Sequence, residues 1–191
     1  GFAGVRMDHC LSLLELPELS DASMVNELKL HCTLHSAPTP SVETLLHACL
    51  PFKYVDHTHA DAVVTLTNLS DGESRVREIY GDRVLYVPYV MPGYELAKYC
   101  SDLWKRDGRD DLLGMVLLNH GIFSWGKDAR ESYERMISLV SLAEEYLTTK
   151  GHERFSSPVP ETVPFIESTN DPVELATIRK EMSDAAGFPL L

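Results

Sequence analysis

Two histidines one residue apart, His57 and His59, stand in the run VDHTHADAV. Neutral imidazole is a common ligand for a divalent transition metal. On a β-strand, residues i and i+2 share a face. The spacing would then set two imidazoles side by side, with Asp56 and Thr58 turned the other way. An ordinary half-buried strand with two alternating polar residues has the same pattern, so the pair leaves both readings open. A catalytic zinc takes three protein ligands and keeps a fourth position open. The pair therefore needs a third partner.

Six further histidines compete for that place. His9, His31 and His35 flank expected helices among polar residues, as surface side chains do. His152 follows a helix-ending glycine, where a cation suits the helix C-terminus. His47 lies one turn after Glu43 on the same expected helix, the position of a core-edge histidine. His120 differs, because it follows the buried run MVLLN and precedes Gly121. It is delivered at a strand end, where glycine permits close backbone approach, although a plain turn histidine has the same surroundings. Glu43 also carries two readings. It is a first-turn acid that suits the helix dipole, or a base near a metal with its pKa raised by an apolar wall such as Leu46 or Phe52.

The elements that would position these groups follow from periodicity. Ser20 to Leu34 reads as a helix with Ser20 or Asp21 as cap and Met24, Val25 and Leu28 on one face. Pro38 and Pro40 break the chain. A second helix opens at Ser41-Val42-Glu43, buries Val42, Leu45, Leu46 and Cys49, and ends at Pro51. Tyr54 to His59 reads as a short strand, and Ala60 to Asn68 fits helix or strand. Strands are expected at Val84–Val87, Gly114–Leu118 and Ile122–Trp125, the last two interrupted by Asn119-His120-Gly121. Helices are expected over Gly93–Arg106 and over Asp128–Lys150, the latter capped by Asp128 and stopped by Gly151. A proline-rich loop, SSPVPETVPF, precedes a final helix over Asp171–Ala186. Alternating helices and strands without an internal repeat imply one layered α/β domain.

Bulk composition narrows the classes. The 191 residues suffice for one domain with a real core. Net charge is −12, from 17 basic and 29 acidic residues, and no basic run is present, which excludes an ordinary nucleic-acid-binding surface. Four widely spaced cysteines without a C-x-x-C pair read as buried free thiols of a reducing compartment. No apolar run approaches the roughly 20 residues that cross a bilayer, so no membrane partner is expected. With no leader in view, a cytoplasmic location is expected. The start Gly-Phe-Ala-Gly, without a Met, reads as part of a longer polypeptide.

Taken together, the pieces resemble one family. The run PSVETLLHA, then HTHADA, then LLNHGIFSWG before a long helix containing AEEY, is similar to class II aldolase/adducin proteins. More narrowly, GFAGVRMDH and SVETLLHACLPFKYVDHTHADAVVTLTN resemble the aldolase part of bifunctional rhamnulose-1-phosphate aldolase/short-chain dehydrogenase proteins. The resemblance runs from Gly1 to about Pro189. It implies a three-layer α/β/α fold with a central, largely antiparallel sheet over a single domain, residues 1–191. It further implies that His57, His59 and His120 hold a divalent metal, usually zinc, and that Glu43 is the acid/base. Ser41 matches a substrate-phosphate position, although Val42 stands where many relatives carry a second serine. The family's phosphate-cradling segments lie upstream of the point matching Gly1. The expectation is therefore a domain lacking that segment and any dehydrogenase domain, and binding no nucleotide. The implied reaction is cleavage of a phosphorylated deoxy-ketose to dihydroxyacetone phosphate and an aldehyde such as lactaldehyde, in a homo-oligomer, a tetramer by resemblance. A sugar-phosphate epimerase and a non-catalytic adducin-like interaction domain are the rival outcomes on the same scaffold.

Overall fold

The computed structural model describes residues 3–155 and, beyond them, residues 173, 176–177, 180–181 and 183–184. The chain divides into two compact units, Gly1–His152 and Glu153–Leu191. Past Phe155 every described residue of the second unit is helical. The proline-rich loop and most of the helix expected over Asp171–Ala186 lie outside the described residues.

The described elements are α1 (Met7–Leu14), α2 (Asp21–Leu30), α3 (Thr44–Cys49), β1 (Tyr54–Thr58), α4 (Asp61–Thr67), α5 (Gly72–Tyr80), β2 (Val84–Val87), α6 (Tyr94–Asp107), β3 (Gly114–Leu117), β4 (Gly121–Gly126) and α7 (Ala129–Phe155), all but the last three residues of α7 within the first unit. The strands form one sheet in the order β1-β4-β3-β2. The β1–β4 and β4–β3 pairs are antiparallel, and β3–β2 is parallel. This is the largely antiparallel sheet the sequence implied.

Strand alternation separates two cores. Leu85, Val87, Met115, Leu117, Phe123 and Trp125 point to one face, where Cys10 and Leu14 of α1, Met24 and Leu28 of α2, Leu45 and Leu46 of α3, and Leu96 and Cys100 of α6 cover them. Val84, Val116 and Ile122 point to the other, under Val63 and Leu66 of α4, Val76 and Tyr80 of α5, and Leu139 and Ala143 of α7. The result is a three-layer α/β/α arrangement.

Several boundaries differ from those expected. The α2 helix ends at Leu30, and its cap is Ser20, whose hydroxyl accepts the Ser23 N–H at 3.2 Å. The α3 helix begins at Thr44 rather than Ser41, and Val42 is exposed instead of buried. The Ser41 hydroxyl bonds the Glu43 N–H and its carbonyl accepts the Thr44 hydroxyl, a local turn that competes with helix. The ambiguous segment after β1 is helix, α4. Gly151 does not stop α7, which continues to Phe155. Helices α1 and α5 were not expected. In α5 only Val76, Ile79 and Tyr80 are apolar, and i,i+4 pairs such as Arg77–Glu73 line its exposed side.

Helix ends in the first layer are finished by other helices. Gly93 brings no side chain to the start of α6. The Tyr94 N–H is instead accepted by Asp21 of α2 at 2.8 Å, and a Cβ at Gly93 would strike that carboxylate. At the end of α1, the Tyr94 hydroxyl lies 2.8 and 2.7 Å from the carbonyls of Leu13 and Leu16, and Lys98 Nζ donates to the Leu14 carbonyl at 2.8 Å.

Candidate metal centre

Glu43, His57, His59 and His120 meet at one end of the sheet, with one donor atom of each within 4.8 Å of the others. Each arrives by a different route. Glu43 is the residue just before α3, with φ −83° and ψ 0°, and its N–H is held by Ser41. It is therefore the helix cap position, not a first-turn residue. His57 lies on β1, and His59 just past that strand's end. His120 sits in the β3–β4 hairpin turn, whose residue Asn119 has φ +58°. Asparagine tolerates that left-handed conformation, and its side-chain N–H donates to Asn68 Oδ1 at 2.8 Å, tying the turn to the end of α4. Gly121 then lets the turn close on β1. A Cβ there would lie 2.6 Å from the Thr58 carbonyl oxygen, 2.9 Å from His59 Cδ2 and 3.1 Å from His57 Cε1.

The Glu43 Oε1 atom lies 2.9 Å from His120 Nε2, 3.3 Å from His57 Nε2 and 3.8 Å from His59 Nε2. His57 and His120 are almost fully covered, at 8% and 7% side-chain exposure, whereas His59 is open at 58%. The hydrogen bond from His120, and then the neighbouring His57 imidazole, hold the Glu43 carboxyl well below the usual carboxylate range. The expected raised pKa is thus reversed, because the two imidazoles stabilise the anion more than burial disfavours it.

The donor set fits a divalent cation. Nδ1 of His57 lies 3.1 Å from the Ile122 carbonyl, which makes it the protonated nitrogen and leaves a lone pair on Nε2. That Nε2 is buried and has no hydrogen-bond partner. It faces the Glu43 carboxylate, acceptor against acceptor, and a cation between them resolves the conflict. The three rings also stand edge-on to one another, at interplanar angles of 76°, 88° and 66°, with centroids 4.8–5.3 Å apart. Such rings can direct their lone pairs to one point.

A second convergent group, His9, Glu27 and His31, was not foreseen, and these two histidines are half-buried rather than surface side chains. Their rings stack face to face, 3.3 Å apart at 12°. Lone pairs of stacked rings run parallel and do not meet at one ion. His9 hydrogen-bonds Glu27 Oε2 and His31 Nδ1 bonds the Glu27 carbonyl, both at 2.9 Å, which makes this a clasp between α1 and α2.

The structure therefore brings together Glu43, His57, His59 and His120, all four named from the sequence. Ser41 stands beside them in the chain, exposed, with its oxygen engaged by the Glu43 N–H. His47 stays behind the centre, its ring 6.4 Å from that of His57, and burial pushes its pKa down. Sequence reading missed Asn68, the Ile122 carbonyl and Phe123, whose ring lies on His57 at 4.1 Å and 17°. Only the strand register, which pairs His57 with Phe123, could have signalled the last two.

Residues 12–147 match the family described as Class II Aldolase and Adducin N-terminal domain. A solved structure, the N-terminal class II aldolase domain of a conserved protein from Thermoplasma acidophilum, is 39% identical. It superposes with a TM-score of 0.71 over 77% of this chain and 67% of that one. An aldolase II superfamily protein from Pseudomonas syringae, 15% identical with a TM-score of 0.51 over 81% of this chain and 68% of its own, shares the fold. The chain is also 36% identical over 167 residues, 84% of its length, to a Bacillus subtilis (strain 168) protein named uncharacterized oxidoreductase YuxG. It spans only 24% of that relative. With the family match covering most of the first unit and the three-layer fold shared with solved members, the chain belongs to the class II aldolase and adducin family.

Proposed function

We propose that this chain is a metal-dependent aldolase domain, a lyase that cleaves a phosphorylated deoxy-ketose of the rhamnulose 1-phosphate kind. The products are dihydroxyacetone phosphate and a short aldehyde such as lactaldehyde. The observation that carries this reading is the convergence of three imidazoles and one carboxylate within 4.8 Å, one of those imidazoles with a buried, unpartnered Nε2.

His57, His59 and His120 would hold the ion, with zinc as the first choice for a three-imidazole set. A divalent ion there supplies Lewis acidity to the substrate carbonyl and adjacent hydroxyl, stabilising the charge that develops as the carbon–carbon bond breaks. Glu43, held as a carboxylate, takes a proton from the substrate carbon in the condensation direction and returns it in cleavage. The exposed face of His59 gives substrate its approach, while the covered His57 and His120 keep water from the inner side. The Ser41 hydroxyl accepts from the Glu43 N–H and retains its own proton for a phosphate oxygen. The reading includes a cytoplasmic homo-oligomer, tetrameric by resemblance; no described helix is long and apolar enough to cross a membrane.

The test is turnover of rhamnulose 1-phosphate by zinc-loaded wild type and Glu43→Ala, with metal content measured on both. The expected result is dihydroxyacetone phosphate from wild type and a loss of about 10²–10⁴-fold in the variant. Equal rates would remove Glu43 from the chemistry. Metal bound without product would overturn the substrate, and no bound metal after reconstitution would leave an interaction domain.

A further inference from the structure

Among the three histidines, His57 has both a ring hydrogen bond to a backbone carbonyl and a stacked phenyl ring. It lies on β1, whose sole sheet neighbour among the described residues is β4. Its ring is fixed in two ways, both from β4. The Ile122 carbonyl sets which nitrogen carries the proton. The phenyl ring of Phe123, the cross-strand partner of His57, lies against the imidazole face at 4.1 Å and 17°. Phe123 is 0% exposed and is itself wedged, with the His47 ring at 5.3 Å and 65° on its edge.

These contacts divide the work. A hydrogen bond at Nδ1 selects the tautomer and anchors one atom, but the ring can still tilt about that atom. A flat aromatic face pressed on the imidazole removes the tilt and fixes the plane in which the Nε2 lone pair lies. Cross-strand stacking of this kind is a short-range, geometry-specific contact, and groups behind a ligand commonly govern its metal affinity.

We infer that Phe123 is a positioning residue for the metal centre, acting through the ring plane of His57. This rests on the reading of His57, His59 and His120 as ligands, and Phe123 itself touches neither ion nor substrate.

The test compares zinc affinity, by chelator competition, in wild type, Phe123→Leu and Phe52→Leu. Phe52 is the control because its ring contacts are Trp125 (5.1 Å, stacked) and Trp104 (5.3 Å), not a ligand. Both variants lose a ring and keep an apolar side chain. The expected result is a dissociation constant raised about 10–100-fold in Phe123→Leu, with Phe52→Leu at the wild-type value. The cobalt(II)-loaded Phe123→Leu protein should also show shifted visible absorption bands, reporting altered ligand geometry. Thermal melts in chelator confirm that each metal-free variant folds, and Phe123→Met replaces Phe123→Leu if that one does not. Wild-type affinity in Phe123→Leu, or equal weakening in Phe52→Leu, would overturn the inference while leaving the metal centre standing. Absence of metal from wild type would overturn both.

Discussion

Gly121 shows how one missing side chain can decide a site. Its Cα position leaves no room for a methyl group between the Thr58 carbonyl and the rings of His57 and His59. The obstruction at 2.6 Å is backbone and cannot rotate away. Gly121→Ala should therefore push β4 from β1 where His57 and His59 converge. The expected cost is about 1–3 kcal/mol of stability, with zinc affinity reduced at least tenfold; equilibrium unfolding and metal competition measure the two separately. Unchanged affinity with lowered stability would show that the centre tolerates displacement of the strand. The sequence carried this residue openly, since a glycine after His120 already pointed to a close approach. What it approaches was hidden, because the contact spans 62 or more residues of chain and depends on register.

The β3–β4 hairpin is the element that delivers His120, and two effects at Asn119 hold it. One is backbone: φ +58° is unfavourable for most residues. The other is the side-chain bond to Asn68. Substitution separates them. Asn119→Gly should keep the turn and lose only the tether, whereas Asn119→Ala should lose both and be less stable than Asn119→Gly by about 1 kcal/mol. Denaturant melts of the two proteins provide the comparison, and an alanine variant as stable as the glycine one would show that the turn relaxes at no cost. Legibility differs sharply among elements for related reasons. The strands and α6 were readable because they combine apolar residues with nearby Pro or Gly breaks. The α1 and α5 helices were not, since α1 is ended by groups on α6 and α5 has few apolar residues to show a period. Glu43, singled out through the resemblance, does converge on the histidines, but the raised pKa expected for it is reversed. Its surroundings are set by His57 and His120, not by the apolar neighbours of its own helix.

Across the whole first unit, the division into two cores decides the fate of the thiols. Cys10, Cys49 and Cys100 all pack in or against the core that faces α1, α2, α3 and α6. Burial raises all three thiols, Cys49 up to about 12, which disfavours the reactive thiolate at each. Native protein treated with iodoacetamide should lose one thiol quickly, Cys32, and the others only after unfolding; mass spectrometry of the digest reads each site. Rapid labelling of Cys100 would show that this layer opens. The same layer contains a dependence that runs in a circle. The start of α6 is capped by Asp21, and the finish of α1 is shared with Tyr94 and Lys98, while Asp21 heads a third helix whose far end clasps α1 through His31 and His9. Of the three, α2 has both ends of its own, Ser20 and His31, whereas α1 and α6 borrow theirs in part. In kinetic terms an excised α1 or α6 peptide would lack part of its capping, and the layer should gain these bonds late, after segments about 70–85 residues apart have found each other.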